Sequence, residues 1–118
     1  MKDCIFCKIA RKEAPATYHY EDDEIVAFDA IPKIAPIHIL IIPKEHIESV
    51  NELTEDKKGE KIAGRLILVA KKIAREKGIN EDGYKLLIRT GEHGGQEVPH
   101  LHLHLLGGAR LSEGIKPI

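Results

Sequence analysis

His100-Leu101-His102-Leu103-His104-Leu105-Leu106 alternates an imidazole with an apolar side chain at every second position up to Leu105. Side chains on a strand point to opposite faces in turn. This spacing therefore predicts a strand with three imidazoles on one face and Leu101, Leu103 and Leu105 on the other, in the core. An ordinary solvated strand face would use Thr, Lys or Glu instead. Three imidazoles in a row point to proton handling, nucleophilic attack or metal binding. Alternate strand residues lie ~6.6 Å apart, which separates His100 from His104 by ~13 Å along a straight backbone. Zinc–nitrogen bonds are only ~2.0–2.1 Å long. Two neighbouring histidines could share an ion but all three could not, so the triad divides between roles.

Working outward, a glycine-rich loop, Gly91-Glu92-His93-Gly94-Gly95-Gln96-Glu97, leads into this strand, and Gly107-Gly108 ends it. Gly94 and Gly95 allow the backbone to turn its N–H groups toward an anion, and Gln96 adds a neutral donor. A Gly-Gly pair by itself is equally a plain turn; directly before a histidine strand it suggests a phosphoryl site. Tyr84–Arg89 reads as a further strand. The one long helix runs from Glu55 to Lys77, with Thr54 as N-cap, acidic residues in its first turn and basic ones in its last. Gly78 stands where a left-handed C-cap belongs. Ile62, Leu66, Val69 and Ile73 form an apolar stripe for docking on a sheet.

Toward the N-terminus, His38–Ile42 is a β-rich run ended by Pro43, and its near-continuous apolarity predicts a central strand covered on both faces. Tyr18–Glu21 and Ile25–Phe28 read as two short strands joined by the Asp22-Asp23 turn. Asp3 to Arg11 reads as a short helix capped by Asp3, with Ile5, Phe6 and Ile9 on one side. Two runs of strands around one long helix make the class α+β, with a mainly antiparallel sheet in a single domain.

Composition bounds the partners. The chain has 118 residues, 42% hydrophobic and 31% charged, a globular balance. Eighteen Lys and Arg against nineteen Asp and Glu leave a net charge of -1, which supplies no field for gathering nucleic acid or an anionic membrane. The longest apolar stretches, Ile39–Pro43 and Leu66–Ala70, fall far short of the ~20 residues a bilayer requires. The N-terminus carries no signal-like apolar run, so the expectation is a cytoplasmic chain.

The only cysteines, Cys4 and Cys7, are spaced Cys-x-x-Cys. A thioredoxin-like redox motif follows a strand in a βαβ unit, and none precedes Cys4. A stable disulfide does not suit a cytoplasmic chain. The pair is a standard half of a zinc site, which would need two histidines because there is no third cysteine. An inert reduced pair is the alternative.

Taken together, these motifs resemble one family. The His-φ-His-φ-His-φ-φ pattern at residues 100–106, where φ is apolar, is the fingerprint of the histidine triad (HIT) superfamily. Gly95-Gln96-Glu97-Val98, Ala35-Pro36-Ile37-His38, Ile42-Pro43-Lys44 and Ile5-Phe6 resemble its HINT branch, and the likeness spans about Asp3 to Gly108. The resemblance implies a homodimer with the sheet continuing across the interface. It also implies hydrolysis of nucleoside 5′-phosphoramidates and related purine nucleotides through a nucleotidyl-histidine intermediate.

On that resemblance His102 is the nucleophile, His104 the donor to phosphate or leaving group, and His38 a supporting histidine. The Gly95 and Gln96 amides would stabilise charge on the phosphoryl oxygens. Phe6, Phe28 and Ile31 match the base-pocket positions. A structural zinc would take Cys4, Cys7, His46 and His100. Two positions depart from the family. Ala30 stands where an aspartate usually holds the ribose hydroxyls, and Asp29, one place earlier, is the remaining candidate for that task. Arg89 replaces a common asparagine and would add charge near a phosphate. Glu97 stands where some members carry a phosphate-touching serine and others a glutamate. Two rival functions fit the same residues: a nucleotide-binding scaffold without turnover, and a metallohydrolase with its metal at the triad.

Overall fold

The computed structural model describes residues 4–117. The order of elements is α1 (Ile5–Ala10), β1 (Tyr18–Glu21), β2 (Ile25–Asp29), β3 (Ile37–Pro43), α2 (Lys57–Glu76), β4 (Lys85–Leu87) and β5 (Leu103–Gly107). The five strands form one sheet in the order β1-β2-β3-β5-β4, and every pairing is antiparallel. This is the expected α+β architecture. Among the described residues, no helix is long and apolar enough to cross a membrane.

The sheet separates two cores, one for each helix. Ile25 and Ala27 of β2, Ile39 and Ile41 of β3, and Leu101, Leu103 and Leu105 pack against Ile62, Leu66, Val69 and Ile73 of α2. Val26, Phe28, Ala30, Leu40 and Ile42 face the other way, onto Phe6 and Ile9 of α1. The period of two in β2 and β3 is thus satisfied on both faces at once, which is why β3 reads as continuously apolar. By the same alternation, the imidazoles of residues 102 and 104 lie on the α1 side of the sheet.

The ends of the elements hold the differences from expectation. The helix α2 is capped by Asp56 rather than Thr54: the Asp56 carboxylate accepts from Gly59 N–H at 3.1 Å, and the Thr54 hydroxyl donates to Asp56. The reason is packing. A Cβ at Gly59 would lie 1.7 Å from the Thr54 carbonyl, so the chain at Thr54 crosses the first turn instead of entering it. The other end behaves as expected. Gly78 takes φ +73, with Gly78 N–H bonded to Arg75 O and Ile79 N–H to Ala74 O, a Schellman motif closed by buried Ile79.

The first helix is shorter than expected. Asp3, the expected cap, lies outside the described residues, and Cys4 caps the helix with its sulfur, which accepts from Cys7 N–H at 3.2 Å. Ile5 is exposed rather than on the packed side with Phe6 and Ile9. Cys7 must turn inward as well, and that rotates the apolar arc of so short a helix away from Ile5.

The histidine strand also begins late. His100 to His102 precede β5, because Leu101 N–H donates to Ile47 O at 2.6 Å, tying this stretch to the segment after β3. The strand expected over Tyr84–Arg89 shortens to Lys85–Leu87, which leaves Arg89 in the loop beyond it.

Candidate active site and metal centre

Two neighbouring groups of side chains form where α1 meets the sheet. The first consists of Cys4, Cys7, His46 and His100, whose ligand atoms all lie within 4.8 Å of one another. His46 Nδ1 is 3.6 Å from Cys4 Sγ and 3.2 Å from Cys7 Sγ, and His100 Nδ1 is 3.3 and 3.6 Å from the same sulfurs. A tetrahedral ion with zinc-like bonds of ~2.3 Å to sulfur and ~2.0–2.1 Å to nitrogen separates its S and N ligands by roughly 3.5 Å. The spacing fits such an ion.

The surroundings orient the donors. His100 is fully buried, and its Nε2–H donates to Pro43 O at 2.8 Å, which turns the bare Nδ1 toward the sulfurs. Burial pushes its pKa down to about 4, keeping the ring neutral as a ligand must be. With four protein donors the group is closed, the arrangement of a structural site. His102 and His104 are not members of it.

The second group is His102, His104 and His38. His102 Nδ1 lies 2.6 Å from His100 O, an acceptor, so this nitrogen carries the proton and Nε2 keeps its lone pair. Phe6 sets its ring edge-on to His102, with centroids 5.1 Å apart. Ile34 N–H donates into His38 Nδ1 at 3.2 Å, which places the His38 proton on Nε2. That proton points at His104 Nδ1, 2.9 Å away. His104 therefore presents Nε2–H outward. Antiparallel register makes the pair: His38 is opposite Leu106 and Leu40 opposite His104, so the two rings share one face at neighbouring positions. The His102 and His104 ring centroids are 4.9 Å apart.

All three rings are held neutral. Burial, then the neighbouring His102 and His38, push the His104 pKa down to about 3. Burial also lowers those of His38 and His102, and the Arg89 guanidinium adds to the effect on each.

The glycine loop is arranged differently from expectation. Gly95 N–H donates to Glu92 O and Gln96 N–H to Gly91 O, so these amides close the loop's own turn rather than face an anion. The Gln96 side chain braces the loop: its carbonyl accepts from Gly91 N–H, and its amide donates to Glu48 O and Val98 O. Both glycines serve shape. Gly95 has φ +79, and a Cβ at Gly94 would lie 2.4 Å from Thr90 O. A shallow groove of ≈ 490 Å³ runs along Gly91, Glu92, Gly95, Gln96, Glu97 and Pro99. Glu97 is close enough to His102 to favour its charged form.

Of the expected base-pocket residues, Phe28 is buried beneath Phe6 with ring centroids 5.4 Å apart, whereas Ile31 is 86% exposed. Asp29 does not join the site. Strand alternation puts it on the α2 side, opposite Phe28 and Ala30, where its carboxylate is 2.7 Å from His19 Nε2 and 3.4 Å from Lys33 Nζ. A methyl group, that of Ala30, occupies the histidine side. Arg89 does join the site, reaching to 3.4 Å from His104 Nε2. Sequence reasoning missed His19 and three backbone groups: the carbonyls of His100 and Pro43 and the Ile34 N–H. Backbone partners carry no residue-type signal.

The chain matches the HIT domain over residues 11–111. It belongs to the HIT domain family. The purine nucleoside phosphoramidase of Escherichia coli K12 is 50% identical over 110 residues, covering 93% of this HIT chain and 91% of that protein. A HIT family hydrolase from Legionella pneumophila superposes with a TM-score of 0.91 at 44% identity, over 97% of this chain and 100% of the other. A histidine triad protein from Clostridium difficile does so with a TM-score of 0.90 at 43% identity, over 96% and 98% of the two chains. The HIT match begins at residue 11, so Phe6 and both cysteines lie outside it.

Proposed function

We propose that this protein is a hydrolase of nucleoside 5′-phosphoramidates and related purine nucleotides, acting through a nucleotidyl-histidine at His102. The observation that carries the reading is the 2.6 Å contact from His102 Nδ1 to His100 O, which fixes the lone pair on Nε2. The phosphoramidase name of the Escherichia coli relative supports the P–N bond as target.

In the first step His102 Nε2 attacks the α-phosphorus, and the bond from phosphorus to the amine nitrogen breaks with its electron pair. The amine must gain a proton to leave. His104 is the group placed to give it, because a bound phosphoryl anion supplies the opposite charge that favours a protonated imidazole. In the second step water attacks phosphorus, its proton passes to His104, and the Nε2–P bond breaks to release the nucleoside monophosphate. His38 orients His104 through the 2.9 Å contact. Phe6 and Phe28 supply an apolar wall for the base, with Ile31 at its exposed rim. The loop residues Gly95, Gln96 and Glu97 shape the phosphate side.

Zinc is the ion we assign to Cys4, Cys7, His46 and His100, on the thiolate and imidazole donors and the tetrahedral spacing. Its part is structural, tying α1 to the chain after β3 and to the start of the histidine run. A homodimer is supported by β4, which ends the sheet with one unpaired edge, and by Ile67 and Leu68, 51% and 57% exposed on α2. Cys4 and Cys7 form no disulfide, which suits a cytoplasmic chain. Ala30 favours one competing reading, nucleotide binding without turnover. A turnover screen of adenosine and guanosine phosphoramidates, with rapid-quench trapping of an acid-labile phosphohistidine, decides between them: release of amine with a trapped adduct supports the hydrolase, and binding with neither overturns it.

A further inference from the structure

Arg89 leaves the end of β4 and runs beside Gly95, where a Cβ would stand 3.5 Å from Arg89 Cδ and 3.7 Å from Nε. A glycine at that point keeps the path of the side chain open. The guanidinium ends with Nη1 3.4 Å from His104 Nε2. Among the described residues, no carboxylate pairs with Arg89.

The contact brings two donors together. The Ile34 N–H to His38 contact and the His38 to His104 contact leave the His104 proton on Nε2, and a guanidinium has only donors. Two N–H groups at this distance do not bond to each other, and an acceptor seated beside both satisfies them together. An oxygen carrying negative charge does so best, since hydrogen bonds from a guanidinium to an oxyanion are the strong, charge-assisted kind. The arginine also remains charged at every working pH.

We propose that Arg89 and His104 form a two-donor clamp for one non-bridging phosphoryl oxygen, with Arg89 the residue that makes binding depend on phosphoryl charge. The assignment rests on the nucleotide reading above. Its consequence is a division of labour: the apolar wall holds the nucleoside, and Arg89 holds the phosphoryl anion next to His102.

Calorimetric titration with AMP and with adenosine tests it on the parent protein, Arg89→Gln and Arg89→Lys. Arg89→Gln should weaken AMP roughly 10- to 100-fold, the size of a charge-assisted hydrogen bond, and leave adenosine unchanged. Arg89→Lys should recover part of the loss, since it restores the charge without the fork. Unaltered thermal melting shows that both variants are folded. AMP binding by Arg89→Gln equal to that of the parent, or an equal loss for adenosine, overturns the clamp. No AMP binding by the parent overturns the clamp and the nucleotide reading together. AMP binding by a parent that hydrolyses no phosphoramidate overturns only the enzymatic reading, and the AMP ratio still judges the clamp.

Discussion

His100 faces two ways: its Nδ1 points at the Cys4 and Cys7 sulfurs, and its carbonyl oxygen receives the Nδ1–H of His102 at 2.6 Å. One residue thus belongs to the metal group through its side chain and to the second histidine group through its backbone. The side chain can be lost while the carbonyl remains, so the two groups are separable by mutation.

Cys4→Ser should therefore abolish a metal content of about one zinc per chain and lower Tm, because metal binding is linked to folding. Turnover measured well below the new Tm should survive. Elemental analysis with thermal melting and activity checks this. A stable metal-free variant without activity, rescued by added zinc, would instead place the metal in the chemistry.

Replacing His102 by Ala should remove the chemical step and leave nucleotide affinity nearly intact. Loss of the atom that forms the intermediate costs several orders of magnitude in rate. Single-turnover kinetics beside AMP titration separates the two effects, and turnover within tenfold of the parent defeats the assignment of the nucleophile.

The neutral histidines set an acid limit on stability. His104 has a pKa near 3 when folded against an ordinary value of ~6.5, so between these limits the unfolded chain binds the extra proton. Its contribution is complete above ~6.5 and declines as pH falls toward 3, by up to roughly 1.4 kcal/mol per pH unit. His38 shifts in the same direction for the same first cause, burial. Denaturant unfolding between pH 7 and 5 should show stability falling, with a shallower slope in His104→Asn. Equal slopes would show that His104 does not titrate in this way.

A dimer should form through apolar surface around α2 and β4. Light scattering at micromolar concentration should give twice the 13.2 kDa chain mass, and Leu68→Glu should shift it toward the monomer. A parent of monomer mass would remove the dimer from the account.

The pattern of apolar residues by itself determined the architecture. Alternation along residues 100–106 and the stripe Ile62, Leu66, Val69 and Ile73 dictate which faces are buried, since the periods of strand and helix are local properties. Residue type likewise marked Cys4 and Cys7 as half of a metal site and the alternating histidines as candidate reactive groups, because few other side chains do that chemistry, whereas His46 and His100 as their partners came from the family resemblance. What only the tertiary structure decided was direction. His102 Nε2 is the bare nitrogen because a carbonyl two residues back takes the other proton, and His38 is fixed by the Ile34 amide. Asp29 and Ala30 differ by one place in sequence and by the whole thickness of the sheet in space. The Gly95 and Gln96 amides were absorbed by their own turn, while Arg89, at the open end of a short strand, reached His104. Hydrogen-bond partners and side-chain direction depend on residues distant along the chain, and the local sequence does not encode where those will lie.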